Sequence, residues 1–309
     1  MKENEFNKVV IMLATYNGEK YIREQLDSII NNDHKNINLV ISDDGSVDNT
    51  WKILEEYAKN YSFITLIKNQ SGKHGAIYNF ANLVKYTKAY IAEDCFYMFS
   101  DQDDVWMPDK IRVSVKALKK HNEKGSVLIY TGKQYVDKDL QYIYDDTINE
   151  NIFDINIIHQ NKTYGCTYIL NSELMGHLES NIPHDFINYD HYVAVQAYLY
   201  GKVYYLPQKT ILYRQHGDNV SGTINQTLKE RLKTKSKYKN NVIFYKYMIN
   251  FCWKNRELLL ESDRSIIDCL HKALTSRIAL FCNSINCHIK KNSTVSTIQF
   301  YLAILFSKY

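Results

Sequence analysis

The chain has 309 residues, 45% of them hydrophobic, with only 3 prolines and 11 glycines. That length supports one sizeable core, or a domain of roughly 200 residues plus an appendage, and the composition excludes a disordered chain and a fibrous repeat. The formal net charge of +4 hides an asymmetry: residues 225–309 hold 15 Lys/Arg against 5 Asp/Glu and residues 1–224 hold 23 against 29, so the tail carries +10 and the body −6.

Residues 1–8 are polar and lack the basic and apolar regions of a secretory leader, so a cytoplasmic location is expected. Residues 9–13 are a continuous apolar run that reads as a buried strand. The loop Ala14-Thr15-Tyr16-Asn17-Gly18 follows, then a helix with Ile22, Leu26, Ile29 and Ile30 on one face. Residues 37–41 repeat the strand signal, Ser42-Asp43-Asp44-Gly45-Ser46 makes the next loop, and Asp48 or Asn49 is placed to cap a helix carrying Ile53, Leu54, Tyr57 and Ala58. A third strand at 64–67 leads through a polar loop into a helix with Ile77, Phe80, Ala81 and Val84, and from there to a strand over 95–99. Alternating strands and helices predict a parallel, doubly wound α/β sheet with ligands at the carboxyl edge of the strands.

Residues 127–131 read as a further strand and 132–183 as a less regular stretch. Helical spacing returns over 190–200, and short strands at 203–206 and 210–213 lead into Arg214-Gln215-His216-Gly217-Asp218-Asn219. After Gly222 the chain turns rich in Lys, Asn and Tyr without proline. A boundary near 223 therefore divides a main domain, 1–222 (halves of about 1–131 and 132–222), from a basic helical region, 223–309. Lys229, Arg231, Lys233, Lys235, Lys237 and Lys239 recur at every second position, so on a helix they spread around the cylinder. Residues 294–306 are uncharged, but a bilayer span needs about 20 apolar residues. The tail's excess charge points to an anionic partner, a membrane surface or a lipid-linked phosphate, and no motif for nucleic acid accompanies it. The six cysteines, at 95, 166, 252, 269, 282 and 287, include no C-x-x-C pair and read as reduced packing residues.

Ser100-Asp101-Gln102-Asp103-Asp104 puts three carboxylates just past the strand at 95–99, at the sheet edge where open α/β folds bind ligands. Like charges this close raise one another's pKa, and a hard divalent cation relieves that cost while leaving positions for phosphate oxygens. Asp-x-Asp there suggests metal-bridged diphosphate binding; a solvated acidic turn that caps the helix near Pro108 is the alternative. Thr15-Tyr16-Asn17 and Asp43-Asp44-Gly45-Ser46 bring hydrogen-bonding groups to the same edge.

At these residues the chain resembles the family 2 glycosyltransferases. Its A-T-Y-N-G, S-D-D-G-S-x-D-N-T, S-D-Q-D-D-V-W and Y-R-Q-H-G-D-N stretches are similar to the bacterial, rhamnosyltransferase-like branch, over roughly residues 7 to 222. The resemblance implies a GT-A fold: a Rossmann-like, mostly parallel sheet flanked by helices, here with a C-terminal helical extension. It also implies a nucleotide-sugar donor, Mn2+ or Mg2+, and inversion at the anomeric carbon. On that footing Asp44 would accept from the ring N3–H of uracil or thymine, beside Thr15, Tyr16 and Asn17, while Lys73, His74 and Asn79 fall in a region facing the nucleotide. Asp103 matches the metal ligand, Asp101 would hold the ribose or share the metal, and Asp104 would cap the segment after it. Trp106 would line a sugar pocket or pack in the core. Gly165-Cys166-Thr167 resembles a stretch on the acceptor side.

Inversion by direct displacement needs a carboxylate to take the acceptor hydroxyl proton on the face opposite the leaving diphosphate. Counting back from Gly201 along A-V-Q-A-Y-L-Y-G places Asp190 where the family shows the Asp of a His-Asp pair. Tyr189 precedes it here, and a literal His184-Asp185 pair lies five residues earlier, so Asp185 is the alternative base. Arg214 and His216 would neutralise the departing diphosphate, and His216 would also touch the metal. The implied reaction is transfer from dTDP-L-rhamnose, or alternatively a UDP-hexose, to a polyprenyl-diphosphate-linked glycan of a cell-surface polysaccharide such as a capsule, with the basic tail in peripheral contact with the membrane's inner face. A sugar nucleotidyltransferase is the remaining reading. It would need a basic, glycine-rich loop after the first strand, and residues 14–20 supply one lysine and one glycine.

Overall fold

The computed structural model describes residues 8–90, 95–121, 125–145, 153–179, 188–216, 235–291 and 293–306, with side chains from 241 onward in the sixth of these stretches. The apolar runs form strands β1 (Val9–Thr15), β2 (Ile37–Asp43), β3 (Ile64–Lys68) and β4 (Phe96–Ser100), and the amphipathic segments between them form α1 (Ile22–Ile30), α2 (Thr50–Asn60) and α3 (Ala76–Tyr90). β1 pairs in parallel with β2 and β4, and β2 with β3, giving the order β3-β2-β1-β4. All five residues from Val9 to Leu13 are fully buried, which explains a continuous apolar run where an exposed sheet would alternate.

The second half continues the sheet with β5 (Val105–Trp106), β6 (Ser126–Val136), β7 (Tyr142–Asp145), β8 (Tyr168–Leu170) and β9 (Gly201–Arg214). β8 lies antiparallel between β4 and β6, β9 runs parallel to β6, and β5 and β7 pair antiparallel with β9 and β6. The sheet is thus mostly parallel and mixed only in its second half. Helices α4 (Lys110–His121), α5 (Ser172–His177) and α6 (Tyr189–Tyr200) complete this part. One core cluster joins Ile22, Leu26 and Ile29 of α1, Ile53 and Leu54 of α2, and Ile111, Val115 and Leu118 of α4 to the sheet.

The two short strands expected after residue 200 are one 14-residue strand. Its register against β6 slips where Thr131 pairs with Leu206 and Gly132 with Lys209, so Pro207 and Gln208 bulge out of the ladder. Proline has no N–H to give a ladder, and that local break is what divided the sequence pattern in two.

The described residues divide into two compact units. The first holds the sheet and lies within 8–145, 163–179 and 188–216; the second comprises 153–162 and the described residues from 235 to 306. In the second unit are α7 (Lys235–Lys254), α8 (Glu261–Lys272), α9 (Arg277–Asn286) and α10 (Thr294–Phe306). The Phe300 ring packs against Tyr245 and His159, with centroids 5.1 and 5.0 Å away. Residues 229, 231 and 233 of the basic run lie outside the described residues, as do the side chains at 235, 237 and 239. No helix among the described residues is long and apolar enough to cross a membrane.

Gly201 is where β9 starts against β6, and a Cβ there would lie 2.3 Å from the Ser126 carbonyl oxygen. Only backbone movement relieves such a contact, so Gly201→Ala should cost at least about 2 kcal/mol. Thermal unfolding should show a Tm lower by roughly 4–8 °C; an unchanged Tm would show that β6 and β9 part without strain.

Candidate active site

The register sets Thr15 beside Asp43 and Leu13 beside Ser100, so β1 and β2 end level, β4 ends two residues short of them, and their loops meet at one edge. Asp43 builds the second loop: its Oδ1 accepts from the N–H of Gly45 (3.0 Å) and of Ser46 (2.9 Å). Gly45 sits at φ +86°, where a Cβ would be strained. Because Asp43 does this work, Asp44 is spared it. Asp44 is buried and held from behind, one oxygen accepting from Asn69 Nδ2 (2.6 Å), the other from the N–H of Gly75 (2.7 Å), with His74 Nδ1 3.2 Å away. Two lone pairs on each oxygen leave it able to accept further bonds.

Asn79 is buried and donates from Nδ2 to the carbonyls of Ser42 (2.8 Å) and Thr15 (3.2 Å), tying the ends of β1 and β2 together; its Oδ1 is buried without a hydrogen-bond partner among the described residues. Asn17, at φ +47°, locks the first loop to the second through Val47 N–H (2.9 Å) and Ser46 Oγ (2.9 Å). Tyr16 is 52% exposed at the rim. Gln102 then fastens the first loop to the acidic loop: its Oε1 accepts from Thr15 Oγ1 (2.6 Å) and Tyr16 N–H (2.8 Å), and its Nε2 donates to the Tyr16 carbonyl (3.1 Å). Gly18 is needed beside it, since a Cβ there would lie 2.5 Å from Gln102 Oε1.

The acidic loop is crowded. Ligand atoms of Asp101, Asp104 and Cys166 all lie within 4.8 Å of one another. Asp104 is buried, and one of its oxygens accepts from the Arg214 N–H (3.0 Å) while Oδ2 has no hydrogen-bond partner among the described residues. Burial, then the charges of Asp103 and Asp101, push the Asp104 carboxyl well above its usual range. Burial likewise raises Asp101 to about 7, with Asp103 and Asp190 adding. Asp103 is hydrogen-bonded to His216, Oδ2 to Nε2 2.8 Å. Asp190, in the first turn of α6, accepts from the His191 N–H (2.7 Å), and burial raises it to about 6. Gly165 lets the Gly165-Cys166-Thr167 turn approach it, for a Cβ there would lie 3.2 Å from Asp190 Cβ. Asp190 thereby joins the acidic loop in one site, whereas Asp185 lies outside the described residues.

Trp106 is 3% exposed within the core cluster, its backbone N–H donating to Ser28 Oγ, so of its two expected roles it takes core packing. The Arg214 guanidinium is buried too, donating to the carbonyls of Asp103 and Lys138 (2.7 Å each), pairing with Glu24 and lying 4.5 Å from the Tyr21 ring. It braces the acidic loop from within the protein, which corrects the expectation of a side chain open to a diphosphate. Sequence reasoning missed Gln102, Cys166 as a neighbour of two carboxylates, and Lys110, whose buried ammonium donates to the Cys166 carbonyl (2.9 Å) and is pushed down to about 8 by burial. A signal existed for Gln102, the polar residue between two carboxylates; Lys110, one residue past a helix-opening Pro-Asp, gave none.

Residues 10–171, just over half of the chain, match the family described as glycosyl transferase family 2. A dTDP-rhamnosyl transferase, RfbG, of Shigella flexneri is 31% identical over 240 residues, covering 74% of this chain and 77% of that protein. The chain belongs to glycosyl transferase family 2. An uncharacterised glycosyltransferase of Rickettsia typhi is 26% identical over 74% of this chain and 71% of its own length. Among solved structures, Staphylococcus aureus TarS 1-349 in complex with UDP-GlcNAc aligns with a TM-score of 0.60 at 17% identity, over 96% of this chain and 79% of that one. A Pyrobaculum calidifontis mannosyltransferase in complex with GDP-Man and Mn2+ aligns at 0.53 and 15% identity, over 97% and 86%. The fold is thus that of the GT-A glycosyltransferases, and family membership sets aside the nucleotidyltransferase reading.

Asp101 and Asp104 both have folded pKa values above the ordinary 3.8 of the unfolded chain. Whatever stability they leave intact below about pH 4 is lost as pH rises toward those values, which for Asp101 means up to about 7. In metal-free buffer the Tm of this family 2 protein should therefore fall between pH 5 and 8, and Asp104→Asn should lessen the fall and raise the Tm at pH 8 by roughly 2–4 °C. A variant that melts lower than wild type at pH 8 would show that the Asp104 carboxylate is stabilised in place.

Proposed function

We propose that the chain is an inverting glycosyltransferase that moves a sugar from a nucleotide-sugar donor, dTDP-L-rhamnose, to a polyprenyl-diphosphate-linked glycan at the inner face of the cell membrane. Residues 1–222 would form the catalytic body and 223–309 a basic region in contact with the membrane. The observation that carries the reading is the approach of Asp190, from the second half of the domain, to the Gly165-Cys166 turn, whose Cys166 lies within 4.8 Å of Asp101 in the acidic loop. The site so pairs a base with a diphosphate-binding edge.

Asp190 would take the proton of the acceptor hydroxyl. The freed electron pair forms a bond to the anomeric carbon from the face opposite the diphosphate, and the anomeric C–O bond breaks with its electrons leaving on the nucleoside diphosphate. Asp44 would accept from the base N3–H, the rim at Thr15, Tyr16 and Asn17 would bound the base, and Asn79 Oδ1 is the buried acceptor beneath it. Mn2+ or Mg2+, bound through Asp103 and Asp101 with His216 behind Asp103, would neutralise the diphosphate. The donor set fits such a cation: Asp101 and Asp103 offer oxygen ligands crowded by like charge, and beside them the buried Oδ2 of Asp104 has no hydrogen-bond partner among the described residues. The mannosyltransferase captured with Mn2+ supports that assignment.

The RfbG likeness supports rhamnose, and TarS with UDP-GlcNAc supports a UDP-hexose as the second reading. Purified protein incubated with dTDP-rhamnose or UDP-sugars, with Mn2+, Mg2+ or EDTA, should release nucleoside diphosphate from one donor only when metal is present; release from none would refute the reading. Asp103→Asn and Asp190→Asn should each lower turnover at least about 100-fold. A base is active when ionised, so turnover should climb as pH rises through about 6. Near-normal turnover in Asp190→Asn would move the base to Asp185.

A further inference from the structure

Helix α10 is apolar on two opposite sides. Phe300 and Ile304, one turn apart, are buried in the second unit, while Val295, Ile298, Leu302 and Phe306 are 65, 53, 47 and 75% exposed. Their spacing of three, four and four residues sets them in a single stripe, and at about 100° per residue that stripe lies opposite the buried pair. The helix has no charged residue. A helix packed on a water-soluble unit normally turns polar side chains outward, so this stripe is built for a covering surface.

Two coverings are chemically reasonable, a second copy of the chain or a lipid surface, and charge decides between them. The region from 225 to 309 carries +10; Lys290 and Lys291 precede α10 in sequence and Lys308 follows it. A second copy set face to face would bring like charge onto like charge, whereas an anionic leaflet attracts it. Thirteen residues rise about 20 Å, too little to span a bilayer but suited to lying in its plane. We propose that α10 docks in the interface of an anionic membrane, its outer stripe among the acyl chains and the exposed Lys290 before it on lipid phosphates. This deepens the proposed membrane contact of the basic region and rests on that reading for the charge alone; the stripe is a separate observation.

The test is flotation of the full chain with vesicles of phosphatidylcholine alone or with phosphatidylglycerol, alongside size-exclusion chromatography without lipid. Binding to the anionic vesicles, weakened by salt, is expected. Ile298→Gln/Leu302→Gln should lower the partition coefficient at least about tenfold, while Leu260→Gln, equally apolar and 73% exposed but off the helix, should leave it unchanged. Equal recovery in both supernatants, or full binding by the double variant, would overturn the proposal. So would a wild-type dimer that the double variant dissolves, since the stripe would then belong to a second copy. Donor cleavage in solution is measured in parallel: its loss with vesicle binding intact would indict the proposed reaction, and the reverse would indict the docking surface.

Discussion

Everything at the candidate site depends on three parallel strands ending at one edge of the sheet. With Thr15 opposite Asp43 and Leu13 opposite Ser100, the loops after β1, β2 and β4 emerge side by side and can be joined by single side chains. Gln102 joins the first to the third, Asn17 joins the first to the second, and Asn79 ties the Thr15 carbonyl of β1 to the Ser42 carbonyl of β2. A slip of one residue in any of these strands would turn each loop-side group to the other face of the sheet. The full burial of β1 on both faces opposes such a slip.

Against that rigid frame the acidic loop is under electrostatic stress. Asp101 and Asp104 are held where ionisation is disfavoured, and Asp190 approaches from the other half of the domain. Folding alone would not select such an arrangement, because a buried carboxylate without a counter-charge costs stability. Perturbed carboxyls gathered at a sheet edge are what a cation and a diphosphate would relieve, and this is the physical content behind the family's acidic motif.

The first half of the fold was legible because parallel strands buried on both faces leave uninterrupted apolar runs, and the helices between them keep a clear apolar stripe. The second half was not, since β7, β8 and the bulged β9 are antiparallel, short or broken, and their pattern blurs. Motif spacing alone put Asp44, Asp101 and Asp103 in loops at the sheet edge, where the structure has them. Arg214 misled, because a guanidinium near a site looks the same in sequence whether it faces a ligand or the protein. Asp104 was read as a cap, and nothing local told that Cys166, over sixty residues away, would lie against it. Gln102 was named only as a letter between two acids, although its hydrogen bonds hold the loops together.

The bracing by Arg214 has a consequence for how a ligand is met. One buried guanidinium grips the backbone of Asp103 and Lys138, stacks on Tyr21 and reaches Glu24 on α1, while the backbone N–H of Arg214 donates to Asp104. The acidic loop is thus shaped by contacts within the protein itself. On the proposed reading a diphosphate would have little of it left to order, and more of the interaction energy would survive as affinity. The exposed Glu24 on α1 is part of that readiness, which gives a residue on the outer surface a hold on the geometry of the interior.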